Sequence, residues 1–136
     1  DVERSLMQEQ IRCLQPVEPL TVDLKTTLKQ AIRIMRDKNI GCVVVTDDAG
    51  KLAGILTERD LLQKVAGQNL DHSQCRVDDF MSPAPECSKS EHPLAYALQR
   101  MIISDIRYLP LVDENDRPEG IISSRDVIAY IKKRFI

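Results

Sequence analysis

The chain has 136 residues, 43% of them apolar, with 19 Lys and Arg against 21 Asp and Glu and a formal charge of −2. At this size a folded chain buries roughly two-thirds of its unfolded surface, enough for one ordinary core or two small ones sharing a boundary, so a long disordered array is excluded. Nucleic acid is excluded as a partner for want of clustered cations, the one dense basic run, Lys132-Lys133-Arg134, being suited to a solvated helix C-terminus.

The longest apolar run, Val127 to Ile131, has five residues, far from the ~20 that cross a bilayer, so no membrane contact is expected of this segment. Cys13, Cys42, Cys75 and Cys87 form no C-x-x-C pair, and His72 and His92 do not complete a metal-ligand spacing. They read as reduced thiols of a cytoplasmic protein without a metal. No signal peptide opens the chain, and it begins with Asp rather than Met, which fits an excised piece of something longer.

Residues 1–10 form an N-terminal extension. From there the chain is one unit written twice. A shift of 66 residues, without a gap, pairs Pro19 with Pro85, Leu28 with Leu94, Ala31 with Ala97, Met35 with Met101, Gly54 with Gly120 and Asp60 with Asp126, and extends upstream to Ile11/Val77 and Leu14/Phe80. Ten identities fall in positions 19–64, where chance gives about three. The repeats run 11–66 and 77–136, and the polar stretch 67–76 links them.

Each repeat opens with a short strand, near Pro19–Val22 and Pro85–Ser88. Leu28, Ala31, Ile32 and Met35 follow helical spacing, as do Leu94, Ala97, Leu98 and Met101, which predicts helices over 26–38 and 92–104. Thr26 is the expected N-cap of the first, and Pro93 the first helical residue of the second. The run Gly41–Thr46 predicts a strand covered on both faces, then a turn at Asp47–Gly50 and a strand over Leu52–Leu56. The second copy gives Tyr108–Val112, a turn at Asp113–Asp116 and Gly120–Ile122, with Pro110 marking an edge or bulge. A final helix carries Leu61, Leu62 and Val65 in one copy and Val127, Ile128 and Ile131 in the other. The class is α+β: two pseudo-symmetric β-α-β-β-α repeats, each with a three-stranded sheet too small to bury both faces alone, so that the pair is the folding unit.

No nucleophile elbow, metalloprotease helix, P-loop or dinucleotide fingerprint occurs, so an enzyme is not expected. What both copies keep is the strand-to-helix junction, Gly54-Ile-Leu-Thr-Glu-Arg-Asp60 and Gly120-Ile-Ile-Ser-Ser-Arg-Asp126. One reading is a capping box, Thr57 or Ser123 accepting from the third helical N–H while Asp60 or Asp126 reaches back. The other turns the same groups outward. Unpaired helix-start N–H groups and the Thr57 or Ser123 hydroxyl would meet a phosphate, Asp60 or Asp126 a ribose diol, and Arg59 or Arg125 would neutralise charge.

This doubled junction, each preceded by helix, apolar strand and Asp-containing turn, resembles a pair of CBS domains, a Bateman module, and so does Ile106-Arg-Tyr-Leu-Pro-Leu-Val-Asp113. The resemblance covers about residues 11–134. It implies a regulatory module that binds AMP, ADP, ATP or S-adenosylmethionine in the cleft between the repeats and acts on a linked or partner protein, with pairs associating as homodimers. By the same resemblance Thr57, Ser123, Asp60 and Asp126 would hold ribose and phosphate. Base and sugar contacts would come from Thr21, Val22, Cys87 and Ser88, and from Gly41, Cys42, Arg107 and Tyr108. Arg107 opposite Gly41 makes the second copy better equipped for phosphate. The rival reading is a dimerisation or scaffold module with no nucleotide, its junctions serving only as helix caps.

Overall fold

The computed structural model describes residues 2–135, with side chains from Arg4 to Arg134. In chain order the elements are α1 (Val2–Gln8), β1 (Thr21–Asp23), α2 (Leu28–Lys38), β2 (Cys42–Thr46), β3 (Leu52–Thr57), α3 (Glu58–Asp60), β4 (Ser82–Pro83), α4 (Leu94–Ile103), β5 (Tyr108–Val112), β6 (Pro118–Ser123) and α5 (Ser124–Phe135). Single 3-10 turns form at Ile11–Leu14 and Val77–Asp79, and α3 runs on as a π-helical turn, Leu61–Val65. The helical, strand and turn patterns of the sequence thus reappear as α+β elements, with the ends adjusted.

Those adjustments have local causes. The N-cap of α2 is Thr27, not Thr26, because Gln30 lies three residues on. Thr27 Oγ1 accepts from Gln30 N–H at 3.1 Å and Gln30 Oε1 accepts from Thr27 N–H at 3.0 Å. Thr26 Oγ1 instead meets Asp23. Pro93 is the N-cap of α4 rather than its first helical residue.

In space the chain divides into two compact units, Pro19–Pro85 and Glu86–Ile136 joined by Asp1–Glu18. The first holds a four-stranded sheet in the order β1-β2-β3-β4, with β1 parallel to β2 and the other pairs antiparallel. Val43, Val44 and Val45 of β2 are all buried, as the β-branched run demands. Leu28, Ala31 and Met35 of α2 close over this sheet with Val43, Val45, Leu56, Val65 and Val77. The second unit repeats the core with Leu94, Ala97, Met101, Leu109, Leu111, Ile122 and Val127, together with Leu6 and Ile11.

The sheets differ because Pro110 stands where Val44 does. In the first unit Val44 N–H donates to Leu20 O at 2.9 Å and helps make β1 a strand. Pro110 has no N–H for the matching bond. The opening strand expected near Pro85–Ser88 therefore shrinks to one bridge, Ser88 with Leu111, and the second unit's sheet has two strands, β5 and β6.

The opening turns are exchanged between the sequence repeats. Ile11, upstream of the first repeat's helix, is fully buried in the core built by residues 86–136, and Val77 in that of residues 19–66. Matching backbone bonds hold them: Ile11 N–H to His92 O (2.9 Å) and Leu94 N–H to Glu9 O (2.8 Å) in the second unit, Val77 N–H to Thr26 O (2.7 Å) and Leu28 N–H to Cys75 O (2.8 Å) in the first. Each incoming segment thus satisfies a donor at a helix start that has no intrahelical partner.

Candidate functional site

The strand-to-helix junction is built alike in both units up to a point. In the β2–β3 ladder Cys42 stands opposite Thr57, and in the β5–β6 ladder Tyr108 stands opposite Ser123. The helix starts are not bare: Glu58 N–H donates to Gly41 O at 3.0 Å and Ser124 N–H to Arg107 O at 2.8 Å. Gly54 lets the β3 backbone approach Met81, whose thioether a Cβ there would overlap. Both junctions are capping boxes. Thr57 Oγ1 accepts from Asp60 N–H (3.2 Å) while Asp60 Oδ2 accepts from Thr57 N–H (2.9 Å), and Ser123 Oγ accepts from Asp126 N–H (3.3 Å) while Asp126 Oδ2 accepts from Ser123 N–H (2.7 Å). The expectation of unpaired first-turn amides is corrected to that extent, since the first and third are satisfied inside the chain.

Beyond the box the two junctions part. Asp60 is 4% exposed, and its carboxylate is fully occupied: Oδ2 also accepts from Thr57 Oγ1 (3.1 Å), and Oδ1 takes Ser82 Oγ (2.9 Å) and Lys64 Nζ (3.1 Å). Lys64 spends its other two donors on Phe80 O (3.1 Å) and Met81 O (3.3 Å). Asp126 is exposed, and the positions matching Lys64 and Ser82 are Tyr130 and Pro16. Neither carries an ammonium, and proline cannot donate. Arg107 and Arg125 are exposed, Arg125 preceding Asp126 in the chain and the Arg107 carbonyl accepting from Ser124 N–H, so the second junction carries an exposed carboxylate, a hydroxyl and two exposed cationic residues on its strand end and helix start. Arg59 is exposed as well, but next to a closed acid. Lys64 and Ser82 are partners of Asp60 that the motif did not announce. Lys64 four residues after Asp60, where the other copy has Tyr130, was a readable signal; Ser82, 22 residues away, was not.

The remaining expected contacts make no hydrogen bond to these acids among those the described residues show. Val22 is buried in the first core, leaving its backbone for any contact, and its carbonyl accepts from Thr46 Oγ1 at 3.4 Å. Thr21 is exposed and lines a shallow hollow of about 520 Å³ with Asp23, Thr26, Gln30, Arg33 and Thr46. At the matching positions of the second unit the space is packed: Ser88, 2% exposed, bonds His92 Nδ1 at 2.6 Å, His92 meets the Tyr96 ring edge-on at 5.1 Å, and Arg100 lies 4.8 Å over that ring. Cys42 is buried, and that burial, helped by the Glu58 carboxylate, pushes its thiol up to about 12. Burial likewise raises Cys87, with Asp116 and Glu86 adding to it. These are free thiols held protonated, so Cys42 offers a packing surface and no nucleophile. Among the described residues no His, Cys, Asp and Glu cluster could hold a metal ion, and no helix is long and apolar enough to cross a membrane.

The sequence pattern of the CBS domain matches residues 4–67 and 77–133. The meiotically up-regulated gene 70 protein of Schizosaccharomyces pombe is 34% identical over 116 residues, which are 85% of this chain and 16% of that protein. The chain spans less than two-thirds of the curated relatives it matches first. Of solved structures, the CBS domain pair of protein MJ0100, in complex with 5′-methylthioadenosine and S-adenosyl-L-methionine, superposes with a TM-score of 0.82 at 21% identity, covering 93% of this chain and 98% of that one. CBSX2 in complex with AMP gives 0.81 at 19% identity, covering 94% and 99%. At those identities the likeness is one of fold. A doubled junction with hydroxyl and acid in the same places, on two cores built from matching residues, agrees with the pattern match over both repeats: the chain belongs to the CBS domain family and carries two CBS repeats.

Proposed function

We infer that the chain is a regulatory, ligand-sensing module which binds an adenosine-containing nucleotide, of the class AMP, ADP, ATP or S-adenosylmethionine, and passes its occupancy to a linked or partner protein. The observation that carries this is the second junction, where Asp126 is exposed and, among the described residues, accepts at Oδ2 alone, with Ser123 capping it, Tyr108 opposite Ser123 in the ladder, and Arg107 and Arg125 exposed on the same strand end and helix start. An ionised carboxylate is an acceptor for both hydroxyls of a ribose diol, and two guanidinium groups suit a phosphate. That two proteins of the same fold hold AMP or S-adenosylmethionine supports the ligand class.

A thermal-shift panel of AMP, ADP, ATP, S-adenosylmethionine and NAD tests it. A ligand at a hundred times its dissociation constant adds about 2.7 kcal/mol of stability, a rise on the order of 10 °C at this size. The rise is expected for at least one adenosine compound and is expected to vanish in Asp126→Ala. Unmoved melting curves across the panel favour the scaffold reading, which has its own support in the two capping boxes closed entirely within the chain.

The module is also expected to form a homodimer. Leu62 and Ile128 hold matching places in the two copies and are 73% and 52% exposed, whereas Val65 and Val127 of the same segments are buried. Two large apolar side chains left exposed at matching positions of the two sequence copies are suited to an isologous contact. Sedimentation at tens of micromolar should give twice the chain mass, and Leu62→Glu with Ile128→Glu should return it to the monomer; a wild-type monomer rejects the dimer.

A further inference from the structure

We propose that Lys64 and Ser82 form a latch that keeps the first junction shut, so that one chain takes up nucleotide at the Asp126 junction alone. The proposal rests on the nucleotide reading and names how its two half-sites are made unequal. A ribose can reach Asp60 only by displacing donors already in place. Oδ2 holds the Thr57 N–H and hydroxyl, and Oδ1 holds Ser82 Oγ and Lys64 Nζ at 2.9 and 3.1 Å. The ammonium of Lys64 is fully used in turn, on Asp60 and on the Phe80 and Met81 carbonyls. All three donors of Lys64 and both oxygens of Asp60 are engaged, and opening the network strands several polar groups at once.

The latch also has a mechanical side. Phe80, Met81 and Ser82 belong to the exchanged segment that follows Val77, and they are fixed to α3 through Lys64 and Asp60. The π-helical turn Leu61–Val65 carries Lys64, whereas α5 passes the matching positions as regular helix. A π turn inside a helix recurs at functional positions. The other copy cannot build the latch, because Tyr130 and Pro16 occupy those places.

Two readouts test this on the full chain. Carbodiimide-driven coupling of glycine ethyl ester, mapped by peptide mass, reads carboxylate access without any nucleotide: Asp126 should be modified readily and Asp60 spared in the wild type, with Asp60 becoming reactive in Ser82→Ala and in Lys64→Met. Ser82→Ala removes a single hydroxyl and guards against Lys64→Met failing to fold. Calorimetric titration with AMP should then give about one AMP per wild-type chain and a second, weaker event in the variants, since each of them takes one of the two donors off Oδ1 and leaves the other to be displaced. Asp60 modified as fast as Asp126 in the wild type, or two equal AMP sites in the wild type, overturns the latch. Asp60 protected as expected but no uptake of AMP, ADP, ATP or S-adenosylmethionine by wild type or variants overturns the nucleotide reading instead.

Discussion

Asp60→Ala lowers the unfolding free energy by about 2–3 kcal/mol, whereas Asp126→Ala, the same change at the same motif position, costs about 1 kcal/mol. The second figure is that of a lost helix cap, because the exposed Asp126 makes only the two cap bonds with Ser123 among the described residues. The first adds what Asp60 leaves behind: Ser82 Oγ without its acceptor and a Lys64 ammonium still pinned to two carbonyls without its counter-charge. Lys64 keeps 38% of its side chain exposed, so water and salt screen the orphaned charge and hold the penalty below that of a fully buried pair. In melting temperature the two losses are about 8–12 °C and about 4 °C. Adding Lys64→Met to Asp60→Ala should cost less than Lys64→Met alone, because the ammonium no longer has a partner to lose. Equal losses at Asp60 and Asp126 would show that the latch contributes nothing to stability.

What was legible in the sequence follows from what repeats and periodicities encode. Spacing placed α2, α4, β2, β3, β5 and β6 because apolar faces recur with the period of the element that buries them. Pro110 read as an edge or bulge, but its consequence, the loss of the opening strand expected near Pro85–Ser88, was not drawn, although it follows from the missing N–H. The junction motif was legible as a cap and as a grip together, since a hydroxyl and an acid three residues apart serve both. Its two copies read as unequal through Arg107 opposite Gly41, whereas their two acids read as alike, and they are not. What sets Asp60 apart is a serine 22 residues on, brought in by the fold. The choice of Thr27 over Thr26 was written locally in Gln30, which completes a box that Thr26 cannot. The exchange of the opening segments was not legible at all. A 66-residue self-match pairs Ile11 with Val77 and is unchanged whether each segment packs on its own repeat or on the other.

That exchange makes a prediction with the largest local effect. Ile11→Ala should cost about 3–4 kcal/mol, the loss for a fully buried aliphatic side chain in a core that relaxes only in part. Ile11 is 0% exposed and packs with Leu94, Ala97, Met101, Leu109 and Ile122. All of those residues lie in the second sequence repeat, although Ile11 opens the first. The damage should therefore appear out of place: amide exchange quickens in α4, β5 and β6, while α2, β2 and β3 keep their protection near the wild-type level. Val77→Ala gives the mirror image, loosening the sheet of residues 19–66 and sparing α4 and β5, because Val77 sits with Leu28, Ala31, Met35 and Val43. Its cost is smaller, since fewer methyl groups are removed. If Ile11→Ala instead released the amides of β2 and β3, each opening turn would belong to the core of its own repeat, and the matched bonds from Ile11 to His92 and from Val77 to Thr26 would not be what anchors them.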